Sequence, residues 1–209
     1  MQEYLKVFAD KKYVCAQLLT TKDDFRTRSH YLNMRQCFEA LLADNVVPIV
    51  NENDVIAVEE IMFTDNDELA GLVATMMDAK QLVIMTNVDG VMNGPIDDPS
   101  SEVISEIKPG DDSWQQHIQK ESSKYGLGGM QSKCSAASKL AATGIPVHII
   151  NGTTEHDLTD LIAGQPVGTY FSPGKKKSTV KRWIAHAEGT EKGSVTINQG
   201  AVDMPVSYT

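Results

Sequence analysis

The sequence has no apolar run long enough to cross a bilayer. Its apolar stretches fall well short of the roughly 20 residues that a transmembrane helix requires, so we expect a protein that does not span a membrane. The N-terminal stretch over residues 1–13 is amphipathic and carries charges of both signs, without the apolar centre or cleavage site of a secretory signal. A cytoplasmic location is therefore expected.

Cysteine is scarce. The three cysteines, Cys15, Cys37 and Cys134, are an odd number at wide spacing. Such a set fits neither a disulfide framework nor a CxxC-type metal site. We expect buried or half-buried thiols in a reducing compartment.

Basic residues are outnumbered. The chain has 19 Lys and Arg against 28 Asp and Glu, a net charge of −9, which argues against general binding to nucleic acid because that depends on clustered positive charge. One basic cluster, 175–177, lies beside Pro173 and Gly174 and is typical of a solvated linker.

What is present favours one large α/β domain. With 209 residues, 41% of them hydrophobic and 22% charged, the composition is that of a soluble globular protein. Apolar periodicity predicts strands that alternate with helices, which indicates a mainly parallel sheet. The predicted helices cover 1–12, 31–43, 67–79, 130–143 and 155–163, and the predicted strands cover 14–20, 46–50, 82–86 and 147–150. The strand at 46–50, VVPIV, is of the type that is buried on both faces of a parallel sheet.

The pattern changes near residue 173. We predict one large α/β domain over 1–172, a linker over 173–182, and the start of a small β unit over 183–209, where short alternating runs replace the helical period. A unit with one or two strands is too small to be stable alone.

Polar segments follow the predicted strands, and in parallel sheets ligands bind beyond the carboxyl ends of strands. The segments are 51–54, 64–67, 86–90 and 151–153. The first two contain closely spaced carboxylates and amides that can orient a polar substrate: Asn51, Asp54, Asp65, Asn66 and Asp67. A solvated loop is the alternative on composition alone. In the segment 86–90, Asp89 and Gly90 fit a simple turn equally well.

A glycine-rich segment, YGLGGMQSK at 125–133, leads into a predicted helix. Free backbone N–H groups, a helix N-terminus and a lysine in the first turn are what a phosphate-binding element needs. The spacing is not that of a Walker A motif.

These segments, in this order, resemble the amino acid kinase family, and within it the glutamate 5-kinases. The matching stretches are LLTTKDDF, RSHYLN, VPIVNENDVIAVEEIMFTDNDELAGLVA, LVIMTNVDGV, GLGGMQSKCSAA, GTYF and KRWIAH. The resemblance implies a sheet sandwiched by helices and phosphorylation of the glutamate side-chain carboxylate by MgATP, the first step of proline synthesis. It also implies a homo-oligomer and inhibition by proline.

The same resemblance assigns roles to residues. Asp67 and Lys133 are the implied catalytic residues. The implied glutamate-binding residues are Asn51, Asp54, Asp65 and Asn66. The implied nucleotide-binding residues are Thr86, Asn87, Leu127, Gly128, Gly129, Met130, Gln131, Ser132 and Lys133, with ATP and Mg²⁺ as ligands.

The match is incomplete at both ends. Family members begin with a strand that carries a lysine near the transferred phosphate, followed by a Gly-Ser-rich turn, and this sequence shows neither. Many also carry a small β domain of the PUA type, of which 183–209 resembles the first strands. Leu127 and Asn87 stand where a polar residue and Asp, respectively, are common. We therefore expect impaired activity, and poor folding unless another polypeptide completes the sheet.

Two alternatives stay open. One is another carboxylate or phosphate kinase of the same fold, although acetylglutamate kinase, aspartokinase and uridylate kinase lack the NEND to TDND spacing. The other is a catalytically inactive protein that binds nucleotide or glutamate.

Overall fold

A computed structural model of the chain describes residues 1–55, 66–95, 98–119 and 128–177. Within these ranges helices and strands alternate, as the sequence predicts. The elements are α1 Gln2–Asp10, β1 Val14–Thr20, α2 Lys22–Arg26, α3 Arg28–Ala43, β2 Val46–Glu52, α4 Asn66–Met76, β3 Leu82–Thr86, β4 Glu106–Ile107, α5 Trp114–Gln119, α6 Gly128–Ala141, β5 Val147–Asn151, α7 Asp157–Ile162 and β6 Thr169–Phe171.

The strands form two sheets. In the first, β1 and β2 are parallel and in register from Val14 opposite Val46 to Thr20 opposite Glu52. The second has the order β3-β5-β6-β4, with β3 parallel to β5 and β4 parallel to β6. Only the β5–β6 pair is antiparallel among the described strands. The predicted α/β class with mainly parallel pairing is confirmed, although the strands are divided between two sheets.

Strand β2 is less buried than its sequence predicts. Residues 46–50 are all half-buried, so the prediction of a strand covered on both faces is wrong for the described part of the chain. The physical reason is that β2 is hydrogen-bonded to β1 alone among the described strands. On β1, Val14 and Leu19 are also exposed.

Helix α4 joins the two halves of the fold. Its residues Leu69, Leu72 and Met76 pack into one apolar cluster with Phe25 of α2 and with two residues of α3, Tyr31 and Phe38. Its Ala74 belongs to the other cluster. Helix α4 contacts β2, β3 and α6, so it is packed against both sheets.

The second apolar cluster lies between the four-stranded sheet and α6. Cys134, Ala137 and Leu140 recur every three positions along α6 and pack toward Val147 and Ile149 of β5. These side chains are almost completely buried. The packing fixes the position of α6, and with it the N-terminus of that helix.

Four short elements are not visible in the apolar periodicity of the sequence: α2, α5, β4 and β6. Helix α2 has five residues and depends on a local capping box, in which the Thr21 N–H and hydroxyl donate to Asp24 Oδ2 at 2.7 and 3.0 Å. Strand β4 has two residues and β6 has three, so neither contains a full alternation.

The predicted domain division is only partly within the described residues. The β unit over 183–209 and the end of the linker lie outside them. The linker begins against α6, because the Gly174 N–H donates to the Ala141 carbonyl at 2.8 Å and the Lys177 N–H donates to the Thr143 carbonyl at 3.1 Å. Within the described ranges, every helix is too short or too polar to cross a membrane.

The cysteines allow a test of the fold. Cys15 and Cys134 are buried as predicted, but Cys37 is exposed on α3, so the expectation of a buried or half-buried thiol is wrong there. Burial raises the pKa of the Cys134 thiol to about 12.

We expect Cys37 to react with a maleimide at pH 8 while Cys134 stays unmodified, because the thiolate is the reactive form. Peptide mass spectrometry after short exposure checks this; rapid native-state labelling of Cys134 would contradict the packing of α6.

Candidate active site

An ion pair joins the first turn of one helix to the second turn of another. The Lys133 Nζ of α6 lies 2.7 Å from Asp67 Oδ2 of α4, and both side chains are largely buried, at 23% and 15% exposure. The two residues are 66 positions apart in the sequence. The structure therefore brings together the two residues that were predicted to be catalytic.

The local sequence explains where both side chains sit. Helix α4 begins at Asn66, so Asp67 and Glu68 occupy its first turn, where carboxylates interact favourably with the helix dipole. Helix α6 begins at Gly128, and a Cβ added to Gly129 would meet no described atom within 4 Å. Neither packing nor a left-handed backbone requires glycine there, which leaves space for a ligand to approach the backbone closely.

A second ion pair lies beside the first. Lys22 Nζ, at the start of α2, is 2.9 Å from Glu68 Oε1. The adjacent carboxylates Asp67 and Glu68 therefore each hold a lysine, one from α6 and one from α2. Sequence reasoning missed Lys22 because a single lysine after a strand carries no recognisable spacing.

Polar groups also meet at the carboxyl ends of β3 and β5. The Asn151 amide donates to Asp89 Oδ1 at 2.8 Å, and its oxygen accepts from the Thr153 N–H and hydroxyl at 2.9 and 2.7 Å. The Gly152 N–H donates to the Thr86 carbonyl at 2.7 Å. Asn151 is buried, so this network fixes the loop that follows β3.

Asn151 was not among the predicted site residues, although its segment, 151–153, was recognised as polar and strand-following. The sequence signal for Asn151 is its position directly after the predicted strand VHII at 147–150. What the sequence does not show is the pairing with Asp89, because it depends on β3 and β5 being neighbours.

The remaining predicted site residues lie in several environments. Asn51, Asp54, Asn66 and Asn87 are exposed, and Thr86 is half-buried with its hydroxyl 3.4 Å from Asn87 Oδ1. On α6, Gln131 is exposed and Ser132 is half-buried, whereas the Met130 side chain packs against the apolar cluster. Asp65 and Leu127 lie outside the described residues.

Cys134 is next to Lys133 in sequence but is not a candidate nucleophile. Its side chain is fully buried, and this burial raises the pKa of the thiol to about 12, against a smaller opposite effect of the Lys133 charge. Because the reactive thiolate is not populated near neutral pH, Cys134 serves to pack α6.

Residues 1–151 match the Amino acid kinase family. The chain belongs to this family. Two curated relatives are the glutamate 5-kinases of Chlorobaculum tepidum, 53% identical over 188 residues, and Bacteroides thetaiotaomicron, 48% identical over 208 residues. These alignments cover 90% and 98% of this chain but 52% and 57% of the relatives. The chain therefore spans about half the length of the curated relatives it matches.

Solved structures of amino acid kinase type have the same fold. UMP kinase from Bacillus anthracis superimposes with a TM-score of 0.52 at 14% identity, covering 80% of this chain and 62% of that one. Isopentenyl phosphate kinase superimposes with a TM-score of 0.57 at 15% identity, covering 82% and 64%. The family's fold thus supplies the frame in which α4 and α6 bring Asp67 to Lys133.

The Asn151 network gives a stability prediction for this family member. Asn151→Ala should lower the free energy of unfolding by about 1–3 kcal/mol, because it removes the three hydrogen bonds of a buried side chain, each worth roughly 0.5–1.5 kcal/mol. Urea unfolding measures the loss.

Asn93→Ala is the matched control. Asn93 is exposed and its oxygen accepts from the Glu102 N–H at 2.9 Å, so its loss should cost no more than about 0.5 kcal/mol. Equal losses for the two variants would show that Asn151 does not organise the loop.

Proposed function

We propose that this protein transfers a phosphoryl group from MgATP to the side-chain carboxylate of glutamate, giving an acyl phosphate. The observation that carries the proposal is the Asp67–Lys133 pair, which joins the first turn of α4 to the second turn of α6. The names of the relatives, glutamate 5-kinases at 53% and 48% identity, supply the substrate.

Lys133 has the chemistry that this transfer needs. Phosphoryl transfer is accelerated mainly by positioning and by charge stabilisation, so a cation held in one place near the phosphates is the central requirement. Asp67 holds the ammonium group at 2.7 Å, and the backbone N–H groups of the first turn of the same helix, α6, are donors of the kind that binds phosphate. The acceptor carboxylate is already ionised at neutral pH, so no strong base is needed.

The donor set is compatible with Mg²⁺ bound mainly through nucleotide phosphates. Among the described residues, no group of three or more His, Cys, Asp or Glu side chains is arranged to hold a metal ion by itself. Mg²⁺ commonly takes one or two carboxylates together with phosphates and water, and we assign one such carboxylate to Asp67. When bound, the ion would neutralise charge on the phosphate oxygens.

The binding roles are part of the proposal. We assign glutamate to the polar residues around the end of β2 and the start of α4: Asn51, Asp54, Asp65 and Asn66. We assign the nucleotide to the end of β3 and to the glycine-rich start of α6: Thr86, Asn87 and the run from Leu127 to Ser132. The Asn151 network supports the second assignment because it fixes the loop after β3.

Lys133→Met tests the proposal. We expect hydroxamate-detected γ-glutamyl phosphate formation to fall by about 10²–10³ relative to the unsubstituted chain, because a preorganised donor to the transferred group is removed. Lys139→Met is the control, since Lys139 is exposed in the last turn of the same helix. Full-length Chlorobaculum tepidum glutamate 5-kinase validates the assay.

The possible results separate the candidate functions. Equal activity of the Lys133 and Lys139 variants would remove Lys133 from the mechanism. Turnover with aspartate, N-acetylglutamate or UMP but not with glutamate would keep the kinase and reject its substrate. If the unsubstituted chain binds ATP but phosphorylates none of these acceptors, the protein binds nucleotide without catalysing a reaction.

Three further properties belong to the same proposal: a cytoplasmic location, assembly into a homo-oligomer and inhibition by proline. Exposed apolar side chains on α1 and β1, among them Tyr4, Leu5, Val7 and Val14, support assembly. Competition between proline and glutamate for binding would support the inhibition, and its absence at saturating proline would remove it.

A further inference from the structure

The two ion pairs at the start of α4 hold its first turn from two different helices. Asp67 and Glu68 are consecutive residues of the first turn, yet their partners come from different helices, Lys133 from α6 and Lys22 from α2. A displacement of this turn would therefore change both ion pairs together.

The Lys22–Glu68 pair differs from the surface ion pairs of this chain. Its side chains are 16% and 28% exposed, whereas those of Lys176–Asp78 are 65% and 44% exposed. Exposed pairs contribute little because water and salt screen them, and screening weakens as a pair becomes buried. The Lys22–Glu68 pair is therefore able to hold α4 in position.

Lys22 is itself firmly placed. It is the first residue of α2, whose capping box ties Thr21 to Asp24. Two residues before Lys22, the Thr20 carbonyl accepts a hydrogen bond from the Asn53 N–H at 2.8 Å, which joins the ends of β1 and β2. On the far side, Phe25 of α2 packs in the same apolar cluster as Leu69 of α4.

We infer that Lys22 is a positioning residue: through Glu68 it fixes the first turn of α4 so that the Asp67 carboxylate meets Lys133. Lys22 acts on the reacting groups only through this turn. Its consequence for catalysis rests on the proposed function, whereas its consequence for the Asp67–Lys133 pair does not.

The first test needs no enzymatic activity. The reactivity of each lysine in the full chain is measured by trace acetylation with acetic anhydride and peptide mass spectrometry. In Lys22→Met we expect the acetylation rate of Lys133 to rise about threefold to tenfold, because an ammonium group that is no longer held by the Asp67 carboxylate is more accessible to the reagent. The rate of Lys139 should not change, and Lys22→Arg should keep Lys133 protected.

Lys176→Met is the matched control. It removes an ion pair to Asp78, just beyond the C-terminal end of α4, and should leave Lys133 protected. The inference is overturned if Lys133 reactivity is unchanged in both Lys22→Met and Glu68→Gln, or if Lys176→Met raises it equally. Glu68→Gln gives a second reading should Lys22→Met fold poorly.

The second test uses activity. We expect Lys22→Met to lower kcat about tenfold and to cause no further loss in an Asp67→Asn background, because a residue that acts through Asp67 cannot act when that carboxylate is gone. Additive losses would overturn the inference. If neither the unsubstituted chain nor any variant forms γ-glutamyl phosphate, the proposed function is wrong. The acetylation rates still decide the role of Lys22 in that case.

Discussion

The first turn of α4 is the point on which the described structure depends. The two sheets share no hydrogen-bonded strands among the described residues, and α4 packs against both. The side chains that leave its first turn make ion pairs to α2 on one side and to α6 on the other. Packing along the helix and charge pairing at its start therefore act on the same rigid element, which defines the distance between the two halves of the site.

The Asp67–Lys133 pair adds little net stability to the fold. Burying two charges costs about as much free energy as their attraction returns, so an apolar pair of similar size would hold the helices together equally well. Removing one partner is different, because it leaves a largely buried charge without compensation. Under the proposed function, the pair keeps an ammonium group fixed where an anionic ligand can share it, as phosphoryl transfer requires.

The sequence predicted elements well where one local pattern decides them. Strands β1 and β3 begin and end at the predicted residues. Helix α2 was missed because it depends on a capping box and one buried aromatic residue, Phe25, not on a repeating period.

The sequence predicted individual residues of the candidate site but not which of them contact one another. Asp67 and Lys133 were identified from the resemblance, yet nothing in a linear pattern states that they are 2.7 Å apart, because that distance depends on how α4 and α6 pack. The same limit applies to Asn151 and Asp89, which meet only because β3 and β5 are neighbours. Lys22 was not identifiable at all, since its partner, Glu68, is known only from the packing of α2 on α4.

The substrates in the proposed function are anions, and the chain itself is acidic. With a net charge of −9, the chain as a whole repels anions, so attraction for such substrates has to come from local positive charge. Lys133 and the N–H groups at the start of α6, which lie on one helix, would provide it. Such short-range charge acts only when its geometry is maintained, and the geometry is maintained by the carboxylates of α4. The packing of α4 against both apolar clusters therefore sets the geometry on which the proposed chemistry depends.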